Sequence, residues 1–289
     1  MITAETVATG LGLLEGPVWR DETGDLIVTG VGSGVLLQVD VEKGSATRFA
    51  DPGGGPNGAY PCQDGGVLIT QNGGLDWDAI GIPNPEPSRP ATPGLQRIHP
   101  DGTVRALTAP DDGPFRAPND LCGTEDGTLW FTDPPQFPPP PEPVGRVWRW
   151  TPGERPAVFA GGFSYCNGIG LDRHGTLIVV EKRGLMTVNA DGSRAWLVPA
   201  LPSGGDGFAF DTEGNIYVAG GRFITVVTPD GAISEQLAAP EGPAMVTNCC
   251  FGGSDHRTLY ATDGGSGRVL AFPDLPVAGE PLPAWHLRV

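Results

Sequence analysis

A unit made of a tight turn and an alternating apolar run occurs six times along this chain of 289 residues. The six copies read ETGDLIVTG (22–30), QDGGVLITQ (63–71), EDGTLWFTD (125–133), RHGTLIVVE (173–181), TEGNIYVAG (212–220) and DHRTLYATD (255–263). A second apolar run follows each copy, and a third trails most of them. Units of about 40–60 residues with four short strands are typical of propeller blades. The repeat therefore predicts an all-β, six-bladed β-propeller with four antiparallel strands per blade, in one domain over residues 1–289.

The start of the chain predicts how the ring closes. Val7 stands eight residues before Glu15, and Phe49 stands eight residues before Asn57, so the segment AETVATG resembles an outermost strand without a blade of its own. We expect this N-terminal strand to complete blade six, which protects the edges of the sheets.

Composition narrows the class of protein. The 45 glycines and 31 prolines indicate many tight turns. A net charge of −16 without a basic stretch argues against nucleic acid or a membrane as partner, and no apolar run is long enough to span a bilayer. Five cysteines without CxxC spacing and an N-terminus without a signal-peptide pattern predict free thiols in the cytoplasm. We expect a monomer or weak homo-oligomer that acts on a small-molecule substrate.

A polar residue precedes each copy of the unit at a nearly constant spacing. The six are Glu15, Asn57, Asn119, Asn167, Asp206 and Asn248. The first strand of a propeller blade lines the central channel, so these positions form a ring of side-chain oxygens. Converging oxygen donors are what a hard divalent cation requires. Asn and Asp before Gly are also common in turns, and this alternative stays open, above all for Asn57 and Asn248.

Four stretches carry a resemblance to a known family. EGPVW (15–19), PNDLCGTEDGTLWFTDP (118–134), NGIGLDRHGTLIVVE (167–181) and DGFAFDTEGNIYVAG (206–220) resemble the SMP-30/gluconolactonase/luciferin-regenerating-enzyme family, which is related to diisopropylfluorophosphatase and a staphylococcal lactonase. The resemblance implies a six-bladed propeller with a metal at the channel mouth, held by Glu15, Asn119, Asn167 and Asp206. It also implies that Asp206 is catalytic, as general base or as nucleophile.

The third blade departs from the family pattern. Members that handle free sugar lactones often carry Arg-x-Asn-Asp-Gly there, whereas this chain reads RAPNDL, with Arg116 displaced by one residue and Leu121 in place of the glycine. This departure weakens a specific assignment to aldonolactones.

Two long loops and three strand ends are expected beside the metal. Residues 72–93 and 134–144 connect second to third strands and would cover the mouth, with Trp77 and Phe137 as apolar walls. The alternative for each is a solvated surface loop with one packed aromatic side chain. Gln71, Asp133 and Glu181 end second strands near the same place. Each is interpreted as a group that orients the ligands or binds substrate, or alternatively as a capping residue.

These features predict a metal-dependent hydrolase that opens a sugar lactone or related cyclic ester. Ca²⁺ suits an all-oxygen site best, with Zn²⁺, Mn²⁺ and Mg²⁺ as alternatives. Two other functions fit the same pattern. One is hydrolysis of organophosphorus or other electrophilic esters, and the other is a non-enzymatic, metal-stabilised binding propeller.

Overall fold

The computed structural model describes residues 3–80, 88–109 and 113–286, which form 24 strands and one short helix. The strands are β1 (Glu5–Ala8), β2 (Leu14–Arg20), β3 (Asp25–Gly30), β4 (Val35–Asp40), β5 (Ser45–Ala50), β6 (Pro56–Pro61), β7 (Val67–Gln71), β8 (Gly94–Ile98), β9 (Val104–Ala106), β10 (Leu121–Gly123), β11 (Leu129–Asp133), β12 (Gly145–Trp150), β13 (Ala157–Phe163), β14 (Cys166–Leu171), β15 (Leu177–Glu181), β16 (Gly184–Val188), β17 (Arg194–Val198), β18 (Phe208–Phe210), β19 (Ile216–Gly220), β20 (Phe223–Val227), β21 (Ile233–Ala238), β22 (Val246–Gly252), β23 (Thr258–Asp263) and β24 (Arg268–Phe272). The helix α1 spans Trp77–Ile80 within the predicted 72–93 loop, of which residues 81–87 lie outside the described ranges.

The strands form six four-stranded antiparallel sheets, which confirms the predicted six-bladed propeller. Blades one to five are β2–β5, β6–β9, β10–β13, β14–β17 and β18–β21. Blade six combines β22, β23 and β24 with β1, whose Glu5 and Thr6 pair with Ala271 and Leu270. The prediction that the N-terminal strand closes the last blade is confirmed.

The apolar core is divided among the interfaces between neighbouring blades. Six buried clusters are found in the described residues, and each joins side chains of two adjacent blades. Between blades two and three, for example, Phe131 packs with Leu68 and Leu121. Burying a side chain of this size contributes about 1.5–3 kcal/mol. Second strands such as VLITQ, LIVVE and IYVAG are therefore buried at every position, because both faces of each sheet meet another blade.

The turns between first and second strands follow the repeat. Each of five has a glycine with positive φ: Gly24, Gly65, Gly127, Gly175 and Gly214. In blade six His256 occupies this position with φ 53°. Only glycine adopts such a backbone without steric cost, which explains why the glycine recurs.

After blade six, the chain runs across one end of the channel, namely the end that lies away from the starts of the inner strands. We call this end the lower face, the other end the upper face, and residues 275–286 the C-terminal strap. The strap is held to three blades by backbone hydrogen bonds. The Leu275 N–H donates to blade six, the Glu280 N–H donates to the Phe210 carbonyl of blade five at 2.9 Å, and the Trp285 N–H donates to the Pro61 carbonyl of blade two at 2.8 Å. Trp285 is buried in the cluster between blades two and three.

The cysteine thiols are in the state that the sequence predicts. All five cysteines are free and buried, as predicted. In the part of the chain that the structure describes, no helix has the length and hydropathy of a membrane span.

Candidate metal centre

The ring residues lie where the inner strands begin at the upper face. Glu15, Asn57, Asn167 and Asn248 are near the starts of β2, β6, β14 and β22. Asn119 and Asp206 lie two residues before the first residues of β10 and β18. Four of the six side chains are buried, while Asn167 and Asp206 retain a small exposed surface along the channel. All six positions therefore lie at the upper ends of the inner strands. Asn248 is one residue further along its strand than the others, because the Gly207 N–H donates to the Thr247 carbonyl at 2.8 Å as the Gly168 N–H donates to that of Asp206 at 3.1 Å.

The glycine that follows most ring residues has a packing role. A Cβ on Gly16 would collide with the carbonyl of Asn57, and one on Gly168 would collide with that of Asp206. Gly168 also donates its N–H to the Asp206 carbonyl at 3.1 Å. The recurrent Asn-Gly is thus a point where neighbouring inner strands approach closely, and not a hairpin turn.

Threonines on the second strands hold the ring residues from the neighbouring blade. The Thr29 hydroxyl donates to the carbonyl of Asn57 at 2.6 Å, and that of Thr132 donates to the carbonyl of Asn167 at 2.7 Å. Thr70 makes the equivalent contact with Asn119. These bonds fix the backbone of each asparagine relative to the preceding blade.

Four buried side-chain oxygens of the ring lack a hydrogen-bond partner among the described residues. They are Asn57 Oδ1, Asn119 Oδ1, Asn167 Oδ1 and Asp206 Oδ1. A buried polar atom without a partner costs about 1–3 kcal/mol, so a ligand that all four oxygens contact would be strongly favoured. Oxygens of this kind fit a hard cation.

The side chains that would bind a metal here are mostly amides, unlike those of a site made of carboxylates and histidines. Within the described ranges, no group of three or more His, Cys, Asp or Glu could hold a metal ion. Most oxygens of the ring belong to asparagine amides, and Glu15 and Asp206 are its charged members. Two carboxylates balance one divalent cation.

Burial and mutual repulsion act on the carboxylates of the channel. Burial, followed by the charges of Asp206 and Asp120, raises the pKa of Glu15, and N–H groups of Gly16 and Asn248 offset this in part. Burial and the charge of Asp120 likewise raise the pKa of Asp206, against a hydrogen bond from Asn167. Concentrated negative charge in a dry site is what a bound cation would relieve.

Asp120 is a site residue that the sequence reasoning missed. It stands at the position that is glycine in four other blades, and burial raises its pKa to about 7. Its carboxylate accepts from Asn248 Nδ2 at 3.0 and 3.1 Å, across the channel from blade three to blade six. The aspartate in place of glycine was the available sequence signal.

Asn57 and Asn248, for which a turn role was the open alternative, differ in the structure. Asn248 Oδ1 accepts from the Cys249 N–H at 2.8 Å, and its amide nitrogen donates to Asp120, so both ends are engaged. Asn57 keeps an open oxygen and faces the upper mouth. The open oxygen of Asn57 is thus available to a ligand, whereas the side chain of Asn248 is occupied by Asp120 and the Cys249 backbone.

The polar strand ends accept hydrogen bonds from the segments that lead into the ring. Asp133 accepts from the N–H groups of Arg116 and Ala117 at 2.8 Å. Glu181 accepts from Ser164 at 2.7 Å and Tyr165 at 3.2 Å.

Gln71 does the same for Gly55 at 2.7 Å in blade two. Asp263, which the sequence reasoning did not select, accepts from Met245 at 2.9 Å in blade six. These residues position the backbone before Asn57, Asn119, Asn167 and Asn248.

A small cavity of about 40 Å³ lies at the upper mouth between the two predicted loops. Its lining includes Asn57, Asn119, Leu75 and Phe137. Trp77, which was predicted as an apolar wall, does not line this cavity. Arg116 is exposed and its guanidinium donates to the Val144 carbonyl at 2.5 Å. Its guanidinium therefore contacts the 134–144 loop.

Tyr165 is a second residue of the mouth that was missed. Its ring meets Phe137 edge-on with centroids 6.2 Å apart. Burial and the charges of Asp206 and Glu15 raise the pKa of its hydroxyl. An aromatic residue two positions before a ring asparagine was the only signal in the sequence.

Comparisons with known proteins agree with this architecture. The family profile described as SMP-30/gluconolactonase/LRE-like region matches residues 13–264. A gluconolactonase of Zymomonas mobilis is 22% identical over 297 residues, which cover 89% of this chain and 77% of that protein.

Two solved structures share the fold. A calcium-binding protein, regucalcin, from Agrobacterium tumefaciens has a TM-score of 0.78 at 18% identity, covering 99% of this chain and 98% of the other. A luciferin-regenerating enzyme has a TM-score of 0.80 at 15% identity, covering 99% and 100%.

Proposed function

The chain belongs to the SMP-30/gluconolactonase/LRE-like family, and from this membership and the channel geometry we propose that it is a divalent-metal-dependent hydrolase of lactones. The substrate class is a sugar lactone or related cyclic ester. The observation that carries the proposal is the set of four buried, unpartnered oxygens at one level of the channel. The similarity to a protein named gluconolactonase supports the reaction class.

Glu15, Asn119, Asn167 and Asp206 would hold the ion. Two carboxylates and two amide oxygens provide charge balance without nitrogen or sulfur donors, which favours Ca²⁺. One solved structure with this fold is named as a calcium-binding protein, which supports the same choice. When bound, the cation supplies Lewis-acid polarisation of the ester carbonyl.

Asp206 is the reactive carboxylate of the proposal. The Asp206 carboxylate would bind the ion and would also accept a proton from the attacking water or attack the carbonyl carbon itself. In the second case the ring C–O bond breaks, the ring oxygen leaves and takes a proton from water, and a further water then hydrolyses the acyl intermediate. The neighbouring Asn167 lowers the pKa of Asp206 and so opposes part of the rise that burial and Asp120 cause. Single-turnover hydrolysis in ¹⁸O-water tests the nucleophilic role, since label enters Asp206 only if water attacks the Asp206 carboxyl carbon of an acyl intermediate.

The upper mouth would admit the substrate between Phe137 and Tyr165. These two rings form an apolar wall next to the open oxygens of Asn57 and Asn119. The lactone carbonyl would thus face the ligand level while its ring carbons contact the aromatic wall.

Metal analysis combined with a substrate panel tests the function. The purified protein is assayed with aldonolactones, aliphatic and aromatic lactones and phosphotriesters, before and after chelation. We expect lactone opening that is lost with the metal and restored by Ca²⁺ more effectively than by Zn²⁺, Mn²⁺ or Mg²⁺. Lactone opening that survives removal of all divalent ions would contradict the mechanism. Turnover of phosphotriesters alone, or chelation that only lowers stability, would support one of the alternative functions instead.

A further inference from the structure

A second and larger cavity, of about 570 Å³, opens at the lower face of the channel. Asp120 and Asn248 lie at its inner end, and the residues that line it are all different from those of the upper mouth. The Asp120–Asn248 hydrogen bonds therefore separate this cavity from the ring oxygens. We call it the lower cavity.

Aromatic rings that pack on glycines form much of its wall. A Cβ on Gly170 would lie 2.8 Å from both Phe208 and Phe210, and one on Gly252 would lie 2.6 Å from Trp19. The glycines let the rings lie against the neighbouring strand, which leaves the channel open. Phe208 and Phe210 are only partly buried, so they present apolar surface to the cavity. Water finds few hydrogen-bond partners against such a wall.

The rim of the lower cavity is strongly acidic. Six carboxylates and two basic side chains line it: Asp21, Glu22, Glu125, Asp126, Asp172 and Glu280 with Arg173 and His256. His256 Nε2 lies 2.9 Å from Asp21, and Arg173 donates to the Glu213 carbonyl at 3.0 Å. The excess of negative charge attracts cations and repels anions.

The C-terminal strap adds both kinds of contact to the rim. Glu280 and Leu282 line the cavity, and Leu282 is 51% exposed although it is a large apolar side chain. An apolar side chain at the edge of an apolar cavity gives a ligand further surface to cover. The acidic charge and the apolar wall thus occur on the same rim.

We propose that the lower cavity is a binding site for an amphipathic organic cation, separate from the hydrolytic site. The apolar chain or ring of the ligand packs on Trp19, Phe208 and Phe210, and its protonated amine faces the carboxylates of the rim. The cavity volume falls within the range of about 300–1,000 Å³ that is usual for small-molecule sites. Site and ligand are therefore matched in size, polarity and charge.

Calorimetric titration of the whole protein with decylamine, decanoate and decanol tests the charge preference. We expect decylamine to bind at a single site and at least about ten-fold more tightly than decanoate. Equal affinity for the amine and the carboxylate would overturn the proposal, as would the absence of decylamine binding at millimolar concentration.

Paired charge variants test the position of the amine. Glu22→Gln with Glu280→Gln should weaken decylamine binding about three- to ten-fold, since an exposed charge pair is weak and the variant removes two of them. Glu42→Gln with Glu235→Gln removes the same charge from exposed positions outside the cavity and should leave the affinity unchanged. An equal loss in both double variants would show non-specific attraction and refute the site.

A glycine pair tests the wall. Gly170→Ala pushes Phe208 and Phe210 into the cavity and should weaken decylamine and decanol alike. Gly161→Ala is the matched control, because a Cβ there meets nothing within 4 Å. Unchanged decanol binding in a folded Gly170→Ala protein would place the ligand elsewhere, and the charge variants still decide the case if this protein does not fold.

Discussion

The Asn248 amide nitrogen on blade six lies 3.0 and 3.1 Å from the two carboxylate oxygens of Asp120 on blade three. Blades three and six are opposite each other in a ring of six, so these bonds cross the full width of the channel. They hold the inner strands of blades three and six together just below the ring.

Replacing Asn248 tests this support. Asn248→Ala removes the donor to Asp120 and should lower the free energy of unfolding by about 1–3 kcal/mol, the cost of leaving a buried polar group without its partner. Metal affinity should fall as well, because the inner strand of blade six is then no longer held across the channel below the ring. Urea unfolding and metal titration measure the two effects. Asn189→Ala, at an exposed position, should change neither, and an equal effect there would contradict the role of Asn248.

Replacing Asp206 separates catalysis from folding. Asp206→Asn should lower kcat by about 10²–10⁴-fold, the range of a positioned acid–base group. The metal-free variant should be as stable as the wild type or more stable, because burial and the charge of Asp120 already disfavour the Asp206 carboxylate. Lactone kinetics and urea unfolding give both values, with the exposed Asp191→Asn as control. Retained turnover would refute the catalytic role.

The close approach of inner strands predicts an intolerant glycine. In Gly168→Ala the new Cβ collides with the Asp206 carbonyl, so we expect a loss of stability of about 1–3 kcal/mol or more, as for overpacked cores. Urea unfolding measures the change. Gly161→Ala, where a Cβ meets nothing within 4 Å, should stay close to wild type. Equal stability of the two variants would contradict the packing role.

Two carboxylates at the ends of second strands, Asp133 and Asp263, should affect stability alike but metal affinity differently. Asp133 holds the segment before Asn119, which has an open oxygen, whereas Asp263 holds the segment before Asn248, which does not. Both Asp133→Asn and Asp263→Asn should lower stability. Metal affinity measured by calorimetry should fall more in Asp133→Asn, and a larger fall in Asp263→Asn would contradict this assignment.

Acid stability depends in part on Asp25. Burial raises the pKa of this carboxyl, but hydrogen bonds from Arg20, Thr23 and Gln38 outweigh burial, so the pKa is lowered overall. A carboxyl with a lowered pKa stabilises the fold above its unfolded pKa of about 3.9, and this stability is lost as the pH falls through the folded pKa. The stability difference between wild type and Asp25→Asn should therefore shrink below about pH 4. Parallel stability curves down to strong acid would contradict this prediction.

Much of the fold and part of the site could be predicted from local patterns. The six-fold repeat predicted the blades and the register of Glu15, Asn119, Asn167 and Asp206, because each blade repeats the same short-range alternation and turn chemistry. The spacing of Val7 from Glu15 was sufficient to predict that β1 completes blade six.

Contacts across the ring could not be predicted in this way. Asp120 and Asn248 are 128 positions apart, and only closure of the propeller brings them together. The same holds for Trp285, which the strap carries to Gly127 for a 3.0 Å hydrogen bond. The polar strand ends were ambiguous for a related reason: a carboxylate that holds backbone N–H groups and one that faces a metal have the same local sequence. The sequence by itself thus determined the blades and the ring of oxygens, whereas the tertiary structure decided which side chains meet across the channel, because such contacts depend on ring geometry and not on distance along the chain.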